Sequence, residues 1–347
     1  MFLDDRKSRI LEAIISDYVE TAEPVGSRTI ARKHQLGFSS ATIRNEMADL
    51  EEMGYLAQPH TSAGRVPSDK GYRYYVDQLM KIRHLTEKES RIIREAMEER
   101  INELSQLLKL ASNVMSRFTK YTSLAIAPQI KKSTLKAVQV VPIESNKVLV
   151  LIVTSAGVVK NSTVKLQSAL LPDVVARISN FLNEKLNGRI IETLASSISS
   201  EVEKEIGVEN AIIAPVLEGI NDCIHQIESS EVYLEGTTNI LNFPEFSDIS
   251  KAKELLDIMD KKEVLLKLFR SSGGKYGINV QIGEENELEK IKDCSLVTAT
   301  YSMGNVVIGS IGVIGPKRME YERVISSLNF IRKRINQEIN VLLGESE

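Results

Sequence analysis

Apolar positions near the start of the chain fall three and four apart, and a hairpin signal then interrupts them. Ile10, Leu11, Ile14, Ile15, Tyr18 and Val19 share one face, which predicts an amphipathic helix from about residue 4 to residue 20. Pro24-Val-Gly26 breaks it. Ser27 suits the N-cap of a second short helix running to about His34, and Gly37 ends that unit. Ser39 or Ser40 caps a third helix, and Gly54 sits where a glycine closes it. Tyr55-Leu-Ala57 then reads as a strand, Thr61-Ser-Ala-Gly64 as a turn and Arg65-Val66 as the return strand. Ser68 caps a further helix carrying Tyr72, Arg73, Tyr74 and Tyr75.

On a helical wheel Ile43, Met47 and Leu50 of the third helix share one side and predict its core face. Ala41, Asn45 and Ala48 lie opposite, flanked by Thr42 and Arg44, with Ser40 at the leading end. Small residues allow a helix to approach the floor of the major groove. Asn pairs with adenine and Arg with guanine in bidentate fashion, and Ala or Thr methyls can meet thymine. Glu51 and Glu52 fall at the trailing end, and such helices insert N-terminus first. A three-helix bundle with a merely solvated third helix would show the same apolar pattern. The hairpin directly after it favours a winged helix-turn-helix, with Arg65 at the wing tip meeting phosphate or the minor groove. Lys70 and Arg73 are the expected backbone contacts, and the neighbouring tyrosines are expected to pack on the wing.

Thr86-Glu-Lys-Glu89 is a capping box. It opens a helical stretch in which Met97, Ile101, Leu104, Leu108, Ala111, Met115 and Phe118 alternate steps of four and three. That seam suits either pairing with a second copy or covering a sheet of its own domain. Leu135 to Val141, Val148 to Val153 and Val158 to Leu166 read as a β-meander. A helical block follows from about Pro172 to Ser229, with a weak strand near Asn210 to Ala214. Strand patterns return at Val232 to Leu234, Ile278 to Ile282, Leu296 to Tyr301 and Val306 to Ile314, before a helix from about Met319 to Leu343. A sheet interrupted by helices suggests one domain inserted in another.

At 347 residues the chain is long enough for two or three domains. Its net charge of −3 argues at first against nucleic acid, but the distribution reverses the point. Residues 1–23 hold three basic and six acidic side chains, whereas residues 24–83 hold nine basic and six acidic ones. Attraction to phosphate is local, because salt screens charge beyond ~8 Å. Cys223 and Cys294 match no metal or redox spacing, and the four histidines form no ligand pair, so no metal is expected. Ser272-Gly-Gly-Lys275 lacks the spacing of a phosphate loop and reads as a turn. No cofactor motif and no nucleophile–base constellation is legible, so an enzyme is not expected. No apolar run reaches the ~18 residues that span a bilayer, and acids occupy the start where a signal peptide would be basic. A cytoplasmic protein without a membrane partner is expected.

Long motifs add a family resemblance. Glu23-Pro-Val-Gly-Ser-Arg28, Phe38 to Leu50, Gln58-Pro-His-Thr-Ser-Ala-Gly-Arg65 and Pro67 to Asp77 resemble the HrcA family of heat-inducible transcription repressors. So do Tyr233 to Leu241, Ile282-Gly-Glu-Glu-Asn286, Cys294 to Tyr301 and Ile311 to Met319, which extends the likeness over essentially the whole chain. The resemblance implies an α+β multidomain fold: an N-terminal winged helix-turn-helix, then a GAF-like domain interrupted by a mainly helical dimerisation domain. The expected division is 1–83 for the winged helix, 84–120 for a linker and long helix, 121–166 and 231–347 for the two parts of the GAF-like domain, and 167–230 for the insertion. It also implies a homodimer on double-stranded DNA at an inverted-repeat operator of the CIRCE type. A GroEL-type chaperonin is the implied protein partner. Two other readings fit the residues: a regulator whose GAF-like domain senses a metabolite, and a chaperonin-bound protein whose winged helix contacts protein.

Overall fold

The computed structural model describes the chain apart from residues 1–2, 61–62, 99–103, 127–133, 156–157, 192–209, 229–230, 273–276, 304–305 and 343–347. The N-terminal head begins with α1 (Asp5–Thr21), capped by the Asp4 carboxylate, which accepts the Lys7 N–H at 2.8 Å. Its buried face is Ile10, Leu11, Ile14 and Ile15. α2 (Ser27–Lys33) starts without a side-chain cap: Gly26 holds the cap position and Ser27 is already inside the helix, so the expected Ser27 cap is not formed. For α3 (Ser40–Glu52) the cap is Ser39, whose hydroxyl accepts the Thr42 N–H at 3.1 Å. The N–H groups of Gly54 and Tyr55 close α3 on the carbonyls of Glu51 and Leu50, at 2.9 and 2.8 Å.

Strands β1 (Leu56–Ala57) and β2 (Val66–Pro67) pair antiparallel, and α4 (Asp69–Tyr74) follows with Ser68 as its cap. The hairpin sits on the segment between α1 and α2. Val25 and Arg65 exchange backbone hydrogen bonds of 2.9 and 2.8 Å. Gly64 permits this approach, since a Cβ there would lie 2.4 Å from the Val25 carbonyl oxygen. Two motifs far apart in sequence, one around Val25 and one around Gly64, are thus two sides of one contact.

After α5 (Glu87–Ala96) and α6 (Leu104–Thr119) comes a five-stranded antiparallel sheet. Its strands are β3 (Thr122–Ile126), β7 (Val232–Glu235), β8 (Ile278–Ile282), β9 (Cys294–Met303) and β10 (Val306–Pro316), in the order β7-β3-β10-β9-β8. Alternation sends Ala125, Val297, Ala299 and Tyr301 to a face covered by α6 and α11 (Tyr321–Leu342). Leu124, Ile126 and Leu296 go to the other face, under α9 (Ile249–Met259) and α10 (Lys262–Ser272). The choice left open for the heptad-like seam is settled for α6. Leu107, Leu108, Ala111 and Met115 are buried against the chain's own β3 and α11. Ile101 of the expected seam lies outside the described residues.

β4 (Leu135–Glu144), β5 (Lys147–Thr154) and β6 (Val159–Lys165) form a separate three-stranded antiparallel sheet. One face packs Val138, Val140, Val148, Val150 and Ile152 against α7 (Pro172–Leu186) and α8 (Asn210–Glu228), in a hydrophobic core distinct from those of the larger sheet. The meander of 135–166 is expected in the first part of the split domain, yet Thr122–Ile126 is the portion of 121–166 that joins the five-stranded sheet. The meander packs against α7 and α8 in a sheet of its own. Asn210 to Ala214, expected as a strand, opens α8. Alternation sets strands and their local hairpins, but it carries no information about which larger sheet a closed meander joins.

Candidate nucleic-acid interface

In α3 the inward side is Ile43, Met47 and Leu50, all buried. Ala41, Arg44, Asn45 and Ala48 are exposed on the opposite side, with Ser40 and Thr42 half-buried at the leading turn. Among the described residues neither the Arg44 nor the Asn45 side chain is tied up by a hydrogen bond or an ion pair. The face is small, polar and unspent.

Three of the four carboxylates of the same helix are spent. Glu46 takes Lys7 at 2.6 Å and Arg6 at 3.2 Å, and Asp49 takes Lys7 at 3.0 Å. These contacts tie α3 to α1 and hold the Lys7 ammonium well above its ordinary pKa, chiefly through the Glu46 and Asp49 hydrogen bonds. Glu51 is neutralised by Arg65, whose Nε and Nη2 lie 2.8 and 2.7 Å from one carboxylate oxygen. Glu46, Asp49 and Glu51 thus hold cations of their own protein, Glu52 stays exposed at the trailing end, and the Arg–Asn face points outward.

The second half of the expected site is placed differently. Arg65 is on the return strand, bridged to Val25 and paired with Glu51, rather than free at a hairpin tip. Thr61 and Ser62, expected in the turn, lie outside the described residues. Lys70 donates to the Met53 carbonyl at 2.8 Å and stands 4.5 Å over the Tyr55 ring, so it caps the trailing end of α3. Cations are favoured there by the helix dipole. Arg73 faces the five-stranded sheet domain: Nε donates to Glu285 at 2.8 Å, Nη2 reaches the other Glu285 oxygen and donates to the Val280 carbonyl at 2.6 Å, and Nη1 pairs with Asp77 at 3.2 Å. Arg65, Lys70 and Arg73 all lie within the head's basic stretch, yet Arg65 and Arg73 are ion-paired inside the molecule and Lys70, still exposed, is held at the end of α3.

Two further basic residues lie beside this face on α2. Arg28 and Arg32 are exposed on α2, the helix packed against α3, and enter no ion pair among the described residues. Their signal is the helical spacing of two arginines on the polar side of the short helix before α3. Across the neighbouring α1–α2 contact, Asp17 is nearly fully buried and takes Lys33 at 2.9 Å and His34 at 2.8 Å. Burial works to raise the Asp17 pKa, but the Lys33 and His34 hydrogen bonds outweigh it and hold the carboxyl below its ordinary range.

Nothing in this arrangement is built for bond chemistry. Both cysteines are buried free thiols, and no group of three or more His, Cys, Asp or Glu among the described residues could hold a metal ion. No described helix is long and apolar enough to cross a membrane.

Comparison with known proteins agrees. Residues 105–325 match the family model described as HrcA protein C terminal domain. A heat-inducible transcription repressor HrcA of Ruminiclostridium cellulolyticum is 59% identical over 345 residues, covering 99% of both chains. That of Acetivibrio thermocellus is 53% identical, again over 99% of each chain. A crystal structure of a hypothetical protein at 2.2 Å resolution superposes with a TM-score of 0.74 at 27% identity, covering 98% of this chain and 100% of the other. The head and its two attached α/β units are therefore those of a transcription repressor, a regulator without enzymatic activity. The chain belongs to the HrcA family of heat-inducible transcription repressors.

Proposed function

We propose that residues 1–83 are a winged helix-turn-helix that reads an inverted-repeat, CIRCE-type operator in the major groove, and that the chain acts as a homodimer in the cytoplasm. One observation carries this reading. The outer face of α3 leaves Ala41, Arg44, Asn45 and Ala48 exposed and uncommitted, while the acids Glu46, Asp49 and Glu51 are neutralised from behind. Ser40 and Thr42 lead the helix into the groove. Arg28 and Arg32 meet phosphate, as the helix preceding a recognition helix does when it crosses the backbone. Arg65, Lys70 and Arg73 serve to hold the head in shape and place.

The five-stranded sheet between helical layers is the GAF-like unit in this reading, and the three-stranded sheet with its helices is the dimerisation unit. The outer face of that smaller sheet supports the assignment. Val141 and Val159 are 43% and 47% exposed there, and they pair across the ladder with Leu149 and Val153. A second copy would cover this apolar surface. A dimer places two reading helices on two half-sites, which is why the operator is an inverted repeat.

A GroEL-type chaperonin sets how much repressor is active, and unfolded proteins compete for it under heat. The physical requirement is a marginally stable repressor, for which a loss of ~1–2 kcal/mol changes the folded fraction several-fold. The test is a gel shift of the purified chain on a CIRCE-type inverted repeat, with and without chaperonin, before and after warming. Binding that is lost on warming and restored by chaperonin is expected. Absence of any shift on inverted-repeat DNA, from a folded chain, would overturn the reading.

A further inference from the structure

The junction between the head and the five-stranded sheet domain is more specific than a tether. Between Leu79 and α5 the chain runs through residues 80–86 without regular structure. Extended, seven residues reach about 25 Å, enough to let a head wander widely. The structure instead seats α4 in a socket. Arg73 fills it with its bonds to Glu285 and to the Val280 carbonyl. Asp69 takes Lys317 at 2.8 Å on one oxygen and accepts the Glu284 N–H at 3.0 Å on the other. From α1, the Val19 carbonyl accepts from Arg318 at 2.9 Å, and Tyr75 donates to Glu322 at 3.1 Å. The rings of Tyr72 and Tyr321 meet at 6.1 Å beneath these polar contacts.

The socket is itself braced. Glu285 accepts the Ile282 N–H at 2.8 Å, and buried Asn286 donates to the carbonyls of Gly283 and Cys294 at 2.9 and 3.0 Å. Gly283 has φ +53°, and a Cβ on it would fall 1.9 Å from an Asp69 carboxylate oxygen. The Asp69 contact of the two units therefore rests on a position where a side chain is disfavoured twice over, by backbone conformation and by space.

We propose that this socket makes Arg73, Asp69 and Lys317 positioning residues for operator spacing: they fix the angle of each head, so the repressor accepts one separation of half-sites. The inference rests on the reading of the chain as a two-headed DNA binder. Adding one base pair between half-sites moves one of them by about 3.4 Å and turns it by about 35° around the duplex. A head on a loose tether follows that displacement. A head held by bonds of 2.6 to 3.0 Å does not, and simultaneous engagement fails.

The experiment uses the full-length chain on duplexes carrying a CIRCE-type inverted repeat at its natural spacing, at spacings changed by one to five base pairs, and on a single half-site. The wild type is expected to lose tenfold or more in affinity (about what the second head adds) at altered spacings. Arg73→Ala combined with Lys317→Ala should bring all spacings within about threefold, with single half-site binding unchanged. Gly283→Ala, which leaves every charge in place, should weaken the preference. A wild type indifferent to spacing, or a folded double variant that keeps the wild-type preference, overturns the inference while leaving the DNA reading intact. A wild type that binds neither the repeat nor the half-site overturns the DNA reading itself, and this inference with it.

Discussion

α3 and α4 are neighbouring helices of one head, both carrying basic residues, and they spend their charge in opposite ways. On α3 the arginine and asparagine of the outer face have no partner among the described residues, and Glu46, Asp49 and Glu51 are folded back onto Arg6, Lys7 and Arg65. On α4 the basic side chains are consumed: Lys70 by the end of α3, Arg73 by Glu285, Asp77 and the Val280 carbonyl. Net charge by segment counts these residues equally. Availability separates them, because a guanidinium already holding a carboxylate and a carbonyl must give up both before it can meet a phosphate.

The contrast is sharpest in affinity. Arg44→Ala and Asn45→Ala should each cost about 1–3 kcal/mol of operator binding and relax base preference, with thermal unfolding unchanged. Titration of operator and single-base variants by fluorescence anisotropy measures this, and a folded variant with wild-type affinity would show that the face is turned away from DNA. Arg73→Ala should do the reverse. It leaves Glu285 without its cation and the Val280 carbonyl without its donor, so about 1–2 kcal/mol of stability should disappear in a denaturant titration while half-site affinity holds. Equal losses in both readouts would erase the distinction between the helices.

Acid should loosen the α1–α2 contact. The Asp17 carboxyl is held below the ordinary aspartate value of 3.8, so its contribution is present above that value and is lost as pH falls through the depressed folded pKa. Asp17→Asn should already lack that contribution at neutral pH and should lose less stability than the wild type between about pH 5 and pH 2, roughly the span of the carboxylate range. Parallel acid-unfolding curves for the two chains would remove Asp17 from the account.

The smaller effects concern phosphate. Arg28→Ala or Arg32→Ala should weaken binding to every sequence and reduce the slope of log affinity against log salt by about 0.9 for each phosphate left unneutralised. Arg65→Ala should leave that slope nearly unchanged, because its charge is matched by Glu51. A slope that fell by about one for Arg65→Ala would put the return strand back against the DNA.

Much of the head is legible in the residues. The helical spacing of Ile43, Met47 and Leu50 defines the inner face of α3 and hence its outer face, since a helix has one geometry to offer. Cap residues and Gly54 place its ends to within one position, and of the two candidate caps Ser39 is the one used. The alternation in β4 to β6 marks the strands of the meander. The family motifs flag Val25, Gly64, Gly283 and Asn286 without saying why. Their reasons are contacts between segments tens or hundreds of residues apart.

Residue order alone therefore settles what is local: which residues form helices and strands, which face of each is apolar, and that α3 presents Arg44 and Asn45 to the outside. Periodicity encodes these directly. The packed chain had to settle the rest: which sheet the meander joins, whether α6 pairs with a copy or with its own sheet, and which cations of the head stay available. Those outcomes depend on long-range pairing, and a guanidinium reads the same in sequence whether a carboxylate 212 residues away meets it or not.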